Sequence, residues 1–168
     1  MRSLIFKIKR LLFGKFLLLL KREPYWLQIV IFFLGSIVVT ILSAPFIYFT
    51  EQVTEKGNPG PDTKLFVTIL LVAPVLETYF NQHLIFKIMQ YWSATKKKYG
   101  LYIILSSLIF GILHTYSAKY VVYAFTVGLT LSYIYFFYCK NPKKAFWSTA
   151  LVHFLRNSLA YIFLLFED

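Results

Sequence analysis

The chain has 168 residues, 58% hydrophobic and 20% aromatic with only 15% charged, which excludes an ordinary soluble domain, where about a quarter of residues carry charge. Its net charge of +11 would suit a nucleic-acid binder only if the lysines and arginines lined one face of a soluble fold; they lie instead between apolar runs, the distribution of loops that face anionic lipid headgroups. The single cysteine, Cys139, excludes an intrachain disulfide and a multi-cysteine metal knuckle, and at the junction of an apolar run with Lys140 it reads as an inert helix-end residue.

Residues 1–24 form a basic amphipathic segment. At about 100° per residue, Lys7, Arg10, Lys15, Lys21 and Arg22 share one arc, whereas Arg2 and Lys9 fall outside it. Two readings stay open: a helix lying in the membrane interface, or a basic topology signal of no fixed structure. A signal peptide would add a small-residue cleavage site after its apolar stretch, and these residues have none, so the N-terminus is expected to be retained.

Residues 25–168 read as a transmembrane bundle. Five apolar runs follow one another at about 25–50, 64–92, 99–117, 119–139 and 144–166, each near or above the roughly 20 residues that cross about 30 Å of hydrocarbon. Backbone polar groups cannot stay unpaired in lipid, and the runs lack the alternation of barrel strands, so they must be helices. The expected fold is therefore all-α, a polytopic bundle of about five spans. Basic residues cluster before the first run, at Lys96, Lys97 and Lys98, and at Lys140, Lys143 and Lys144, while Glu51, Glu55, Asp62, Glu167 and Asp168 fall on the alternate connections. That asymmetry puts the N-terminus in the cytoplasm. Asn58, Pro59, Gly60 and Pro61 mark the outer loop as a turn.

Ionisable groups inside spans are costly and mark functional sites. Glu77 stands in the second run with Thr78, Asn81, Gln82 and His83, His114 in the third, and His153 with Arg156 and Asn157 in the fifth. At about 1.5 Å per residue, Glu77, His114, His153 and Asn157 come out roughly 12–20 Å deep, near the middle of the bilayer. Helical spacing aligns Glu77 with Phe80 and Asn81, Phe110 with His114, and His153 with Arg156 and Asn157. Pro74 is expected to bend the second helix one turn before Glu77, and Gly111 to admit a close neighbour. A carboxylate can act as general base on a water, an imidazole can share that task, and a second imidazole and an amide can donate to a developing oxyanion. The set suffices for water attack on a peptide carbonyl. Zinc held by Glu77, His114 and His153 is the alternative, but no HExxH helix supports it, so no metal or other cofactor is expected.

The segments APVLETYFNQ, FGILH and HFLRN, in this order, resemble the motifs of the CPBP family (CAAX proteases and bacteriocin-processing enzymes, also called abortive-infection proteins) over about residues 64–166. The resemblance implies a glutamate-dependent intramembrane endopeptidase. Glu77 matches the first glutamate of the family's EExxxR motif and His114 the histidine of FxxxH, the pair that activates water; His153 and Asn157 match HxxxN/D, the oxyanion site. Thr78 stands where the family has its second glutamate and Gln82 where it has arginine, an ETxxxQ variant, and Arg156 is the nearest basic replacement. A chain this short resembles a bacterial member, multi-pass in the plasma membrane, with membrane lipids and a peptide or membrane-protein substrate as partners and no nucleic acid. A non-catalytic adaptor or bacteriocin-immunity protein of the same fold is the alternative.

Overall fold

The structure, a computed structural model, describes residues 14–49, 66–115 and 117–166. Lys7 and Arg10 of the basic N-terminal arc, the acidic outer loop with Glu51, Glu55 and Asp62, and the terminal Glu167 and Asp168 lie outside the described residues. Among those described, the chain is all-helical, with no strand. Two compact units divide it, residues 1–31 and 32–168. In the first, residues 14–20 are helical, a turn follows, and Gln28 Nε2 donates to the Glu23 carbonyl at 2.7 Å beside the start of the next helix.

That helix, α1, runs over Tyr25–Phe49. The second unit takes it up from Phe32 and adds α2 (Thr68–Tyr91), α3 (Tyr99–Ile112), α4 (Ala118–Phe137) and α5 (Pro142–Leu164). Local chemistry sets the starts. Ser117 Oγ accepts from the Tyr120 N–H at 3.1 Å and caps α4, and Asn141 Oδ1 accepts from the Lys144 N–H at 3.1 Å to cap α5, with Pro142 in the first turn where a missing N–H costs nothing. Among the described residues, α1, α2 and α4 are long and apolar enough to cross a membrane. α5 has the length, 23 residues, but Lys143, Lys144, His153, Arg156 and Asn157 dilute its apolar character. α3 has only 14 residues. The third apolar run, expected to continue to 117, stops being helical at Ile112, so His114 lies just past a helix end; its N–H closes a tight turn onto the Gly111 carbonyl at 3.0 Å.

α2 is the irregular element. Thr68–Val72 and Thr78–Leu84 are π-helical, and a single α-helical turn, Ala73–Glu77, separates them. In the first π segment the Ala73 N–H reaches the Thr68 carbonyl, an i→i+5 bond. The same pattern would pair the Ile69 carbonyl with the N–H of residue 74, which is proline and has none. Hydroxyls of neighbouring helices bind carbonyls of the second π segment: Tyr102 OH donates to the Gln82 carbonyl at 3.3 Å and Ser106 Oγ to the Asn81 carbonyl, with Ser132 Oγ donating to Ser106 Oγ at 2.7 Å.

α3 and α4 pack tightly against each other at their glycines. A Cβ on Gly111 would sit 3.0 Å from the Val121 carbonyl oxygen, and one on Gly128 3.0 Å from Ser107 Cα and 3.2 Å from Phe110 Cβ. The expected role of Gly111 thus holds, with Gly128 as its counterpart. Tyr102, Phe110, Leu131, Ile134, Tyr135 and Val152 fill the core, while large apolar side chains such as Leu42, Ile88, Ile104 and Ile112 stand exposed on the periphery. That pattern is inside-out for water and ordinary for lipid.

Candidate active site

Glu77 ends the α-helical turn of α2 between the two π segments. Its Oε2 lies 3.6 Å from His114 Nε2 and 3.7 Å from His153 Nε2. These separations exceed a hydrogen bond, and Oε2 has no hydrogen-bond partner among the described residues. A water oxygen about 2.8 Å from Oε2 and from one imidazole nitrogen fits such a gap.

Each imidazole is oriented by its surroundings. His114 Nδ1 sits 2.6 Å from the Phe110 carbonyl; a carbonyl only accepts, so Nδ1 carries the hydrogen and the neutral ring turns the lone pair of Nε2 toward Glu77. The Phe110 ring, 4.5 Å away between centroids, and Tyr120, at 5.9 Å, flank that imidazole. His153 is 3% exposed and its Nδ1 finds no partner among the described residues. A buried N–H without an acceptor costs more than a buried lone pair, which places the hydrogen of His153 on Nε2, facing Glu77. One imidazole therefore presents an acceptor and the other a donor to the same carboxylate oxygen.

These side chains line a cavity of about 370 Å³, with Arg156 and Asn157 in the same wall. Ile69, Tyr120 and Phe163 also line it, so it extends from Glu77 toward the end of the unit where α2 and α4 begin and α3 and α5 finish. The opposite end carries Lys96–Lys98 and Lys140, Lys143 and Lys144. Asn157 Nδ2 donates to the Ile69 carbonyl at 2.9 Å, the oxygen that Pro74 leaves without its i→i+5 donor, and its second amide hydrogen has no acceptor among the described residues. Arg156, 8% exposed, gives Nη1 to Ser36 Oγ at 3.0 Å and Nη2 to Thr40 Oγ1 at 3.0 Å and Tyr123 OH at 3.1 Å.

Of the residues singled out in the sequence, Glu77, His114, His153, Arg156 and Asn157 thus converge, and Thr78 and Gln82 do not. Both are fully buried outside the cavity lining, and Thr78 Oγ1 and both Gln82 amide atoms have no hydrogen-bond partner among the described residues. Arg156 turns to α1 and α4 rather than toward them. The expected alignment of Glu77 with Phe80 and Asn81 also fails: Phe80 is exposed and Asn81 is buried against Ser106. The cause is the π segment, whose wider turns break the three-and-four-residue rule. Sequence reasoning passed over Ser36, Thr40 and Tyr123; the signal was a polar stripe at Ser36, Thr40 and Ser43, four and three residues apart on the otherwise apolar α1. Among the described residues no three His, Cys, Asp or Glu side chains are grouped so as to hold a metal ion.

Neither a curated protein nor a solved structure matches the chain. A family does: Rce1-like, described as type II CAAX prenyl endopeptidase Rce1-like, matches residues 59–159, a stretch that contains Glu77, His114, His153 and Asn157. That match covers more than half of the sequence, and with three helices fit to cross a bilayer the chain is a membrane protein that belongs to the Rce1-like family of CAAX-type membrane proteases.

Proposed function

We propose that the protein hydrolyses a peptide bond of a membrane-associated substrate with a water activated by Glu77 and His114. The observation that carries this reading is the approach of two imidazole Nε2 atoms to one carboxylate oxygen, at 3.6 and 3.7 Å, in the wall of a cavity. A water held between Glu77 Oε2 and the lone pair of His114 Nε2 gives up one proton to the Glu77 carboxylate as its oxygen bonds to the peptide carbonyl carbon, while His114 Nε2 accepts a hydrogen bond from its other hydrogen. The carbonyl oxygen becomes an oxyanion and meets donors already in place, His153 Nε2–H and the free amide hydrogen of Asn157. The proton then passes to the departing amine as the carbon–nitrogen bond breaks. No step calls for a cofactor.

Purified protein in nanodiscs is expected to cleave a quenched fluorogenic peptide, and Glu77→Gln and His114→Ala to lose that turnover while keeping the native melting temperature. Equal turnover by all three proteins would remove the mechanism. A non-catalytic adaptor predicts instead that Glu77→Gln leaves the cellular phenotype unchanged. Because Thr78 and Gln82 lie outside the cavity lining, the ETxxxQ variation leaves the proposed water site intact, which favours hydrolysis.

The lysine-rich connections mark the cytoplasmic side of a bacterial plasma membrane, so the cavity faces away from the cytoplasm. In a Cys139→Ser background, an impermeant maleimide should label Lys119→Cys in intact cells and Lys140→Cys only after lysis. The reverse pattern would invert the orientation.

A further inference from the structure

Lys87 is a cation inside a membrane-spanning helix, one turn, about 6 Å, before α2 ends at Tyr91. The ion pairs among the described residues are Glu77 with His114 and with His153, so no carboxylate there pairs with Lys87. A lysine this close to a helix end lifts its ammonium to the headgroup level, and on this helix it does so beside α5. His83, one turn before Lys87, meets the Phe146 ring edge-on at 6.1 Å between centroids and stacks on Tyr79 at 5.7 Å. α2 and α5 run in opposite directions, so one turn on from His83 is Lys87 and one turn back from Phe146 is Lys143. Two exposed lysines thus flank one groove, both a turn to the same side of the ring contact that closes it. Lys144 is occupied elsewhere: its Nζ sits 4.8 Å over the Tyr138 ring. Each lysine heads an exposed apolar stripe, Trp147 and Leu151 at four-residue spacing after Lys143 on α5, and Leu84 and Tyr79 before Lys87 on α2.

We propose that the groove between α2 and α5 binds one anionic phospholipid, its phosphate between Lys87 and Lys143 and an acyl chain along Trp147 and Leu151. Cation, aromatic ring and aliphatic side chain follow one another down the groove in the order in which a phospholipid presents headgroup, interface and tail. Inorganic phosphate would satisfy the lysines but leave both apolar stripes without a ligand, which selects the lipid. Topology alone does not account for Lys87, because Lys96, Lys97 and Lys98 already carry the basic signal in the connection that follows α2. The lipid joins the helix that holds Glu77 to the helix that holds His153 and Asn157. Its binding is independent of whether the protein cleaves peptides.

The test uses full-length protein with Trp26→Phe and Trp92→Phe, which leaves Trp147 as the remaining tryptophan of three, in phosphatidylcholine vesicles. Quenching of Trp147 by phosphatidylglycerol brominated on its acyl chains is compared with quenching by brominated phosphatidylcholine at the same mole fraction. The anionic lipid should associate about twentyfold more strongly, roughly fivefold for each lysine. Lys87→Gln and Lys143→Gln should each lower that ratio about fivefold and together bring it near one, while Lys96→Gln should leave it unchanged. Equal quenching by the two lipids overturns the site, and this comparison alters neither lysine, so a poorly folding variant does not mask it. A ratio that falls as much with Lys96→Gln as with Lys87→Gln would mean diffuse surface charge and overturns it too. Excess inorganic phosphate at constant ionic strength should not reduce the preference; if it does, the groove takes a free anion and the lipid assignment fails.

Discussion

At the scale of single residues, the two imidazoles differ in what they can do. His114 shows Glu77 a lone pair and stands half-buried beside Tyr120; His153 is enclosed and shows an N–H. In the proposed mechanism His153 and Asn157 meet the oxyanion only as it forms, so His153→Ala and Asn157→Ala should each lower kcat by about 10²–10³-fold with little change in KM. A rise in KM at constant kcat would show that they bind the ground state instead. Glu77, His114, His153 and Asn157 were legible from the sequence because polar groups stand out against apolar runs and a carboxylate, two imidazoles and an amide form a recognisable chemical set. The environment of Arg156 was not, since serine, threonine and tyrosine are common in membrane helices and reveal a purpose only once the fold sets them around one guanidinium.

At the scale of elements, the π-helical turn before Pro74 in α2 and the motif in α5 are one device. Pro74 withholds an N–H from the Ile69 carbonyl and Asn157 supplies one, which ties the start of α2 to the active-site face of α5. Asn157→Ala should therefore cost stability as well as rate, about 1–3 kcal/mol for the orphaned acceptor. Pro74→Ala returns a donor to the carbonyl, so the double variant Pro74→Ala/Asn157→Ala is expected to melt closer to wild type than Asn157→Ala does. Additive losses in that thermodynamic cycle would show that the two residues act separately. Pro74 announced a bend in the sequence, but the π segments on either side of it did not show, because a widened turn leaves no mark in an apolar pattern read at a 3.6-residue period. For the same reason the neighbours of Glu77 on its helix were misassigned.

At the scale of the molecule, hydropathy and charge gave the all-helical membrane class and the run boundaries to within a few residues, apart from the third run, where His114 and Thr115 stay outside the helix. Apolar content reports what lipid tolerates; it does not report where the backbone stops turning. The short α3 matters beyond topology. Its 14 residues span about 21 Å, roughly 9 Å less than an average hydrocarbon layer. Hydrophobic mismatch of this kind is expected to draw the adjoining lipid inward and to lower the membrane surface toward His114. The dimple would bring solvent and the substrate backbone down to Glu77 without a long channel. Turnover should accordingly be faster in nanodiscs of short-chain lipid than in long-chain ones, and a rate indifferent to acyl length would mean that water arrives by another route.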